Sequence, residues 1–264
     1  MCGIAGWIDN NRNLMDEGGV IRKMTDTLVR RGPDAEGIYL KENVCLMHRR
    51  LIVIDPENGA QPMTIEKGGA SYTIVYNGEL YNTEELRDEL LAFGHRFRGH
   101  SDTEVLLTAF VHWGEACIER LNGIYAFGVW NDASRTLFLA RDRMGVKPLF
   151  FYSYPDGLIF GSEIKTLLAN PLVRPVVDND GLKEIFLLGP GRTGGNGLIR
   201  GVRELKPAEF LVYERKTGVK VRRYWRLKAC EHTDDVGTTV EKTRCLVTDA
   251  VRLSSQIPTR NISG

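Results

Sequence analysis

The 264-residue sequence lacks a long apolar run and lacks an excess of either charge. No stretch approaches the roughly 18 apolar residues that a membrane-spanning helix requires, and no basic segment precedes an apolar start as in a secretory signal. The 35 basic and 34 acidic residues leave a formal charge of +1 and do not gather into blocks. We therefore expect no membrane span, no nucleic-acid partner, and a cytoplasmic protein that acts on small molecules.

Cysteine is scarce and irregularly spaced in this sequence. The spacing contains no C-x-x-C pair and no Cys/His pattern typical of a zinc site. We expect reduced thiols, no disulfide framework and no metal site. The five cysteines are Cys2, Cys45, Cys117, Cys230 and Cys245.

A glycine-rich nucleotide loop is also missing from any suitable context. The segment "LLGPGRTGGNG" places Gly189, Gly191 and Gly194 in G-x-G-x-x-G register. However, this segment follows a predicted helix that starts at Asp180, whereas a dinucleotide site needs a preceding strand. Pro190 lies inside it, so the segment is interpreted as a loop, and no G-x-x-x-x-G-K-[ST] loop occurs elsewhere.

The remaining pattern predicts an α+β protein with much antiparallel sheet. Hydrophobic residues make up 42% of the chain, which is enough for a large core. Short strand-like runs alternate with turn residues along the chain. These runs are "GIAGWI", "GIYL", "VCLMHRR", "SYTIVYNG", "IYAFGVWN", "TLFLAR", "PLFFYS" and "GLIFGS".

Helical spacing appears in a few segments between these strands. Val20, Ile21, Met24 and Leu28 repeat at helical spacing, and "NTEELRDELLAF" offers Asn82 as an N-cap with Glu85 three residues later.

The composition changes after about residue 225. "LKACEHTDDVG" is a polar connector, and Val240, Val247 and Val251 then follow at helical spacing. We predict one domain over residues 2–225 and, over 226–264, a linker with the first helix of a second domain.

The opening "MCGIAGWIDN" places a thiol next to the start of the chain. If Met1 is removed, the Cys2 thiol lies beside the α-amine, whose pKa of about 7.7 to 8.0 suits a base near neutral pH. Such a residue combines a nucleophile with its own general base. The alternative interpretation is a small buried hydrophobic residue at the start of a strand.

Three further segments contain groups that a thiolate attacking an amide would need. Asn77 and Gly78 in "VYNGELYN" could donate to an oxyanion, although Asn-Gly is also a common hairpin turn. Arg50 could hold a carboxylate, or lie on a solvated face. Asp102 could hold an ammonium group, although Ser101 and Glu104 around it also form a helix capping box.

Taken together, these residues resemble the class II, N-terminal nucleophile glutamine amidotransferases. The resemblance rests on "MCGIAG", "RRGPDAEG", "HRRLIVID", "NGELYN" and "SDTEVLL". Within that class the sequence is most similar to the glutamine-hydrolysing asparagine synthetases, through "LNGIYAFGVWND", "LARDRMGVKPLFF" and "FGSEIKTLL". The resemblance implies a four-layer αββα sandwich, with two antiparallel sheets between helices.

The resemblance also implies a role for each residue of the site. Cys2 would be the nucleophile, with its amine as base, and the Asn77 side chain and the Gly78 backbone would form the oxyanion hole. Arg50 would hold the glutamine α-carboxylate, while Glu79 and Asp102 would accept from its α-ammonium. Backbone lining the pocket would come from Leu51, Ile52, Val53 and Ile54.

In the complete family, ammonia passes through a tunnel to a second domain, where ATP, Mg²⁺ and aspartate yield asparagine. That domain carries an S-G-G-x-D-S loop, and this sequence stops at Ser263-Gly264. Its last segment, "SSQIPTRNISG", also departs from the usual S-D-V-P pattern. The resemblance therefore predicts that the chain hydrolyses glutamine without a cofactor but makes no asparagine by itself.

Two alternatives remain open at this point. The same glutaminase head could serve another ATP-dependent amidation, or the chain could be a non-catalytic remnant that acts as a binding module. The presence of all six site residues argues against a remnant: Cys2, Arg50, Asn77, Gly78, Glu79 and Asp102. The sequence leaves open the amide acceptor, whether a separate chain supplies the synthetase half, and the oligomeric state, a homodimer included.

Overall fold

The computed structural model describes residues 1–52, 55, 58–189 and 193–255. Within these residues the chain forms strands that all pair antiparallel to their neighbours. In chain order the strands are β1 (Gly3–Asp9), β2 (Ala35–Lys41), β3 (Val44–Arg50), β4 (Met63–Lys67), β5 (Ala70–Leu80), β6 (Gly123–Asn131), β7 (Thr136–Arg141), β8 (Phe150–Tyr154), β9 (Gly157–Gly161), β10 (Val202–Glu204), β11 (Glu209–Glu214) and β12 (Gly218–Arg223).

Seven α-helical segments accompany the strands in the described part of the chain. They are α1 (Gly18–Asp26), α2 (Thr83–Ala92), α3 (Asp102–Trp113), α4 (Cys117–Arg120), α5 (Ile164–Leu168), α6 (Asn179–Lys183) and α7 (Val236–Ser255).

The strands form two six-stranded sheets. One has the order β10-β8-β9-β1-β3-β2 and the other β12-β11-β7-β6-β5-β4. Helix α3 contacts the second sheet through β5 and β4 and α2 packs against α3, whereas α1 and α5 pack on the first sheet against β3, β8 and β9.

Three apolar clusters pack between these layers and join them. Because side chains alternate along a strand, neighbours in β6 enter different clusters: Ala126 packs between the sheets and Phe127 packs towards the helices. A third cluster joins Ile159 of β9 to Met24 of α1 and Leu167 of α5. The arrangement is the four-layer αββα sandwich that the resemblance predicted.

Most predicted elements are confirmed, and one predicted cap is wrong. Asn82 occupies the N-cap position of α2, but its side chain makes no capping hydrogen bond. Its Oδ1 instead accepts from the Asn122 N–H at 2.9 Å and its Nδ2 donates to the Arg120 carbonyl. The side chain therefore ties the start of α2 to the segment before β6.

The glycine-rich segment follows a helix, as predicted. Helix α6 continues into a π-helical turn at Glu184–Leu188, and Gly189 then has a φ of 61°. Pro190, Gly191 and Arg192 lie outside the described residues. In the part of the chain that the structure describes, no helix is both long and apolar enough to cross a membrane.

Candidate active site

Cys2 lies immediately before β1, at the wall of a cavity of about 270 Å³. The Leu51 N–H points to its Sγ at 3.4 Å, and the thiol points to the Leu51 carbonyl at 3.6 Å. Arg31 donates from Nε to the Cys2 carbonyl at 2.9 Å. Strand β1 is central in its sheet, between β9 and β3, and its first residue, Gly3, pairs with Arg49 of β3, which holds the backbone next to the thiol.

The Cys2 thiol needs a base, because the site does not ionise it in advance. Burial raises the pKa of the thiol, and the hydrogen bond from Leu51 and the charges of the terminal amine and Arg50 offset this effect only in part. His48 is unsuited to the task, because burial lowers its pKa to about 3 and its Nε2 lies 3.2 Å from the Tyr76 carbonyl. The amine at the chain start lines the same cavity.

Asn77 and Gly78 lie inside β5, so the hairpin-turn interpretation is wrong. Asn77 pairs with Ala126 and Gly78 with Tyr125 of β6. The Asn77 side chain is 1% exposed, and its Nδ2 has no hydrogen-bond partner among the described residues. Because an unsatisfied buried amide is costly, this donor is suited to an acceptor that arrives with the substrate.

The backbone N–H of Gly78 faces the cavity for a reason of strand geometry. The pairing of β4 with β5 ends at Ile74, which leaves the same edge of β5 open beyond that point. On this edge the Tyr76 N–H donates to Gln61 Oε1 and the Leu80 N–H donates to Asp102 Oδ2. Since every second N–H along a strand points to the same side, the N–H of Gly78 lies between them on that edge.

Arg50 ends β3 and reaches the cavity with only 7% of its surface exposed. Its Nη2 donates to the Asp55 carbonyl at 2.7 Å, and that carbonyl also accepts from the Gly59 N–H. A Cβ atom at Gly59 would lie 2.2 Å from the same Nη2. The loop after β3 therefore holds the guanidinium in place, in a position suited to a carboxylate.

Asp102 is the first residue of α3 and is 6% exposed. The Tyr76 hydroxyl donates to its Oδ2 at 2.9 Å. The capping box is formed only in half: Ser101 accepts from the Thr103 N–H, whereas Glu104 accepts from the N–H groups of Arg98 and Gly99. Asp102 is thus free of the capping role and lines the cavity with Glu79.

The structure brings together Cys2, Arg50, Leu51, Asn77, Gly78, Glu79 and Asp102 at one cavity. Ile52 is not among the lining residues, and its N–H donates to Asp34 Oδ2 at 2.8 Å. Val53 and Ile54 lie outside the described residues.

Sequence reasoning missed Gln61, Tyr76, Thr103 and Lys147, which also line the cavity. Gln61 bridges β5 to α3, since its Oε1 accepts from the Tyr76 N–H and its Nε2 donates to Thr103 Oγ1. Thr103 is adjacent to the predicted Asp102, and Tyr76 is adjacent to Asn77. Nothing in the local sequence around Gln61 signalled a role, and Lys147 lies in "LARDRMGVKPLFF", a segment that supported the resemblance without assigning this lysine a role.

A metal site would require several ligand side chains close together. Among the described residues, no group of three or more His, Cys, Asp or Glu side chains has the geometry to hold a metal ion. The site offers a donor for a carboxylate in Arg50 and acceptors for an ammonium group in Glu79 and Asp102.

Comparison with known proteins decides the family. Residues 1–225 match the model of the glutamine amidotransferase domain. The chain belongs to the glutamine amidotransferase domain family. Over 260 residues this amidotransferase chain is 48% identical to the glutamine-hydrolyzing asparagine synthetase 3 of Bacillus subtilis, which covers 98% of the chain and 42% of that relative. The chain thus spans less than half of the relative's length.

Solved structures with this fold include the allosteric regulatory enzyme of purine biosynthesis, with a TM-score of 0.63 and 19% identity over 85% of this chain and 49% of that one. The glutamine phosphoribosylpyrophosphate amidotransferase of B. subtilis gives a TM-score of 0.59 and 18% identity over the same shares. At these identities the likeness shows the amidotransferase fold alone.

Proposed function

We propose that this chain hydrolyses L-glutamine through a Cys2 thioester and delivers the ammonia to an asparagine-forming synthetase domain. The observation that supports hydrolysis most strongly is the buried, unsatisfied Nδ2 of Asn77 in the same cavity as the Cys2 thiol. The amide oxygen of bound glutamine can accept from this donor, and the oxyanion that forms when Cys2 attacks accepts more strongly.

The substrate is oriented by charge at one end of the cavity. Arg50 would bind the α-carboxylate of glutamine, while Asp102 and Glu79 would accept from its α-ammonium. The side-chain amide would then extend towards Cys2, which lines the same cavity. Glutamine carries both charges and this amide, so its chemistry matches the donors and acceptors of the site.

Hydrolysis then proceeds in two half-reactions. After removal of Met1, the amine of Cys2 takes the thiol proton, and the sulfur attacks the amide carbon. Asn77 Nδ2 and the Gly78 N–H hold the oxyanion until the C–N bond breaks, and the amine returns the proton to the departing nitrogen. A water molecule, deprotonated by the same amine, opens the thioester and releases glutamate.

The destination of ammonia is proposed from the relatives. The relative compared above is a glutamine-hydrolyzing asparagine synthetase, and it extends well beyond the matched part. ATP and Mg²⁺ would act in the ammonia-accepting domain, on this chain or another. A glutaminase head for a different ATP-dependent amidation is the second candidate.

The proposed setting is the cytoplasm. All five cysteines lie in the described residues and are free, including the buried Cys45 and Cys117. Free thiols in this number fit a reducing compartment.

The purified chain, incubated with glutamine, should release glutamate and ammonia in equal amounts. Cys2→Ala should abolish release, whereas Cys245→Ala, which removes an exposed thiol on α7, should not change it. Intact mass should be one methionine below the encoded mass, because a retained Met1 would convert the basic amine into an amide. Equal hydrolysis by the Cys2→Ala variant would contradict the proposal.

A further inference from the structure

The cavity wall contains a buried lysine that the steps above do not use. Lys147 is 4% exposed and lines the same cavity as Cys2 and Asn77. Its ammonium group has no hydrogen-bond or ion-pair partner within the described residues. A positive charge fixed at the cavity wall acts on the other charged groups that line the cavity.

The loop between β7 and β8 holds the backbone of Lys147 from both sides. Its N–H donates to Asp142 Oδ2 at 3.0 Å, and its carbonyl accepts from Arg141 Nε at 2.8 Å. The other oxygen of Asp142 accepts from the N–H groups of Met144 and Val146, both at 3.0 Å. Two buried side chains at the start of the turn, Arg141 and Asp142, therefore hold it through hydrogen bonds.

Gly145 shows how closely this loop is packed. It has a φ of 69°, its carbonyl accepts from Arg141 Nη2 at 2.7 Å, and a Cβ atom there would lie 2.6 Å from Pro207 Cγ. Arg141 also donates to Glu204 and Leu205 beyond the loop. A loop anchored in this way presents Lys147 at a fixed position instead of letting it move into solvent.

Charged groups from several elements act on the terminal amine. Lys147 in the β7–β8 loop and Glu79 in β5 line the same cavity as this amine, and Arg31, in the segment after α1, adds charge from outside the cavity lining. Arg50 and Asp102 line the same cavity. Arg31 is paired with Glu163 at 3.1 Å, so Lys147 differs in having no carboxylate to offset its charge within the described residues.

The electrostatic effect on the amine follows from these positions. Burial is the largest cause that lowers its pKa, and Lys147 and Arg31 lower the pKa further, while Cys2 and Glu79 oppose them. In the structure this amine belongs to Met1, and removal of Met1 transfers it by one residue to Cys2 in the same cavity.

We propose that Lys147 is a positioning residue for glutamine hydrolysis, whose fixed ammonium group keeps the amine of Cys2 unprotonated when glutamine binds. The proposal rests on the hydrolysis proposed above. A neighbouring positive charge disfavours a second one, so the amine stays available to accept the thiol proton near neutral pH. Lys147 forms no bond with the substrate in this role and exchanges no proton.

The first test is the pH profile of kcat/KM for Lys147→Met. Loss of the cation should move the acid limb to higher pH by about half a unit or more, with the rate near the parent value on the alkaline side. Lys147→Arg should restore the parent profile. Lys216→Met removes the same charge from the exposed β11–β12 turn and should leave the profile unchanged.

The second measurement does not depend on activity. NMR titration of the chain labelled with ¹⁵N-cysteine follows the terminal amine directly, and its pKa should be lower in the parent than in Lys147→Met. Equal pKa values would overturn the proposal, as would a loss of kcat/KM by the same factor at every pH. A parent chain that hydrolyses no glutamine would contradict the proposed function, while the titration would still decide the role of Lys147.

Discussion

At the scale of single residues, Asp102 is a carboxyl group that the fold buries without an ion-pair partner in the described chain. Burial raises its pKa to about 6, although hydrogen bonds from Tyr76, Leu80 and Thr103 favour the ionised form. Between pH about 4 and 6 the folded chain therefore binds this proton more tightly than the unfolded chain does. Stability falls as pH rises through this window, by on the order of 3 kcal/mol at neutral pH.

Asp102→Asn should make the chain more stable and weaken substrate binding. The amide can accept from the Tyr76 hydroxyl without carrying a buried charge, so the free energy of unfolding at pH 7.5 should rise, while KM for glutamine should rise at least about tenfold. Urea unfolding at about pH 7.5 and pH 4.5 measures the first effect, whose size should shrink at the lower pH because the parent carboxyl is then protonated. A variant less stable than the parent at both values would contradict the argument.

The same carboxyl predicts how glutamine binding depends on pH. Only the ionised form attracts the α-ammonium of glutamine, so KM should increase as pH falls below about 6. Bound substrate favours ionisation and should move the transition of the complex to lower pH. Initial rates across this range give KM, and Asp102→Asn supplies the control, because its KM should lack this transition.

Asn77 and Asn82 form a matched pair within "NGELYN". Asn77→Ala should lower kcat by roughly 10² to 10³ with little change in KM, the usual effect of removing one oxyanion donor. Asn82→Ala removes hydrogen bonds to Asn122 and Arg120 and should cost stability but not kcat. Steady-state kinetics on both variants separates the roles, and an unchanged kcat for Asn77→Ala would remove it from the oxyanion hole.

At the scale of elements, local sequence predicted the strands whose apolar runs are strong. The eight predicted runs correspond to β1, β2, β3, β5, β6, β7, β8 and β9. It did not predict β4, β10 or β12, and it missed β11 although the sequence of that strand, EFLVYE, is largely apolar. Residues of β4 and β12 are mostly exposed and show no strong apolar run, although each strand pairs with its neighbour in sequence. Strand β10 has three residues, and its partner β8 is distant in sequence.

The sequence predicted those site residues that belong to short motifs. Cys2, Arg50, Asn77 and Asp102 were named from residue type and resemblance, and all four line the cavity. Whether Asn-Gly forms a turn or a strand could not be decided locally, because the answer depends on pairing with β6, more than 40 residues later. Lys147 depends on the fold of its loop in the same way.

Gly78→Ala tests the close approach of β5 to β6. A Cβ atom there would lie 2.5 Å from the Ile124 carbonyl oxygen and 2.8 Å from Tyr125 Cα, both of which belong to the β6 backbone. The edge of β5 must therefore shift, which should lower Tm and also kcat. Gly18→Ala is the matched control: its Cβ would meet nothing within 4 Å, so Tm and kcat should stay at parent values or rise slightly. Gly78→Ala with parent kcat would argue against its N–H as an oxyanion donor.

At the scale of the whole molecule, the amidotransferase core and the segment after it differ in how far their residues are buried. The family match ends at residue 225, shortly after β12. The connector that follows is almost entirely exposed, and α7 has large apolar residues in solvent, among them Leu246 at 71% and Val251 at 63%. Few buried contacts restrain this region, so local opening there should cost little free energy.

Limited trypsin digestion should therefore cut first in the connector, after Arg226 or Lys228, and leave a resistant core that begins at Cys2 and ends at one of these two residues. Exposed backbone with few tertiary contacts enters a protease site easily, whereas the arginines and lysines of the sheets are held by strand pairing. Mass spectrometry of the early fragments identifies the first cut, and glutaminase activity measured over the same time course should remain while α7 is lost. All residues that line the candidate site lie within the core, so activity that fell in step with the first cleavage would show that residues after 225 support the site.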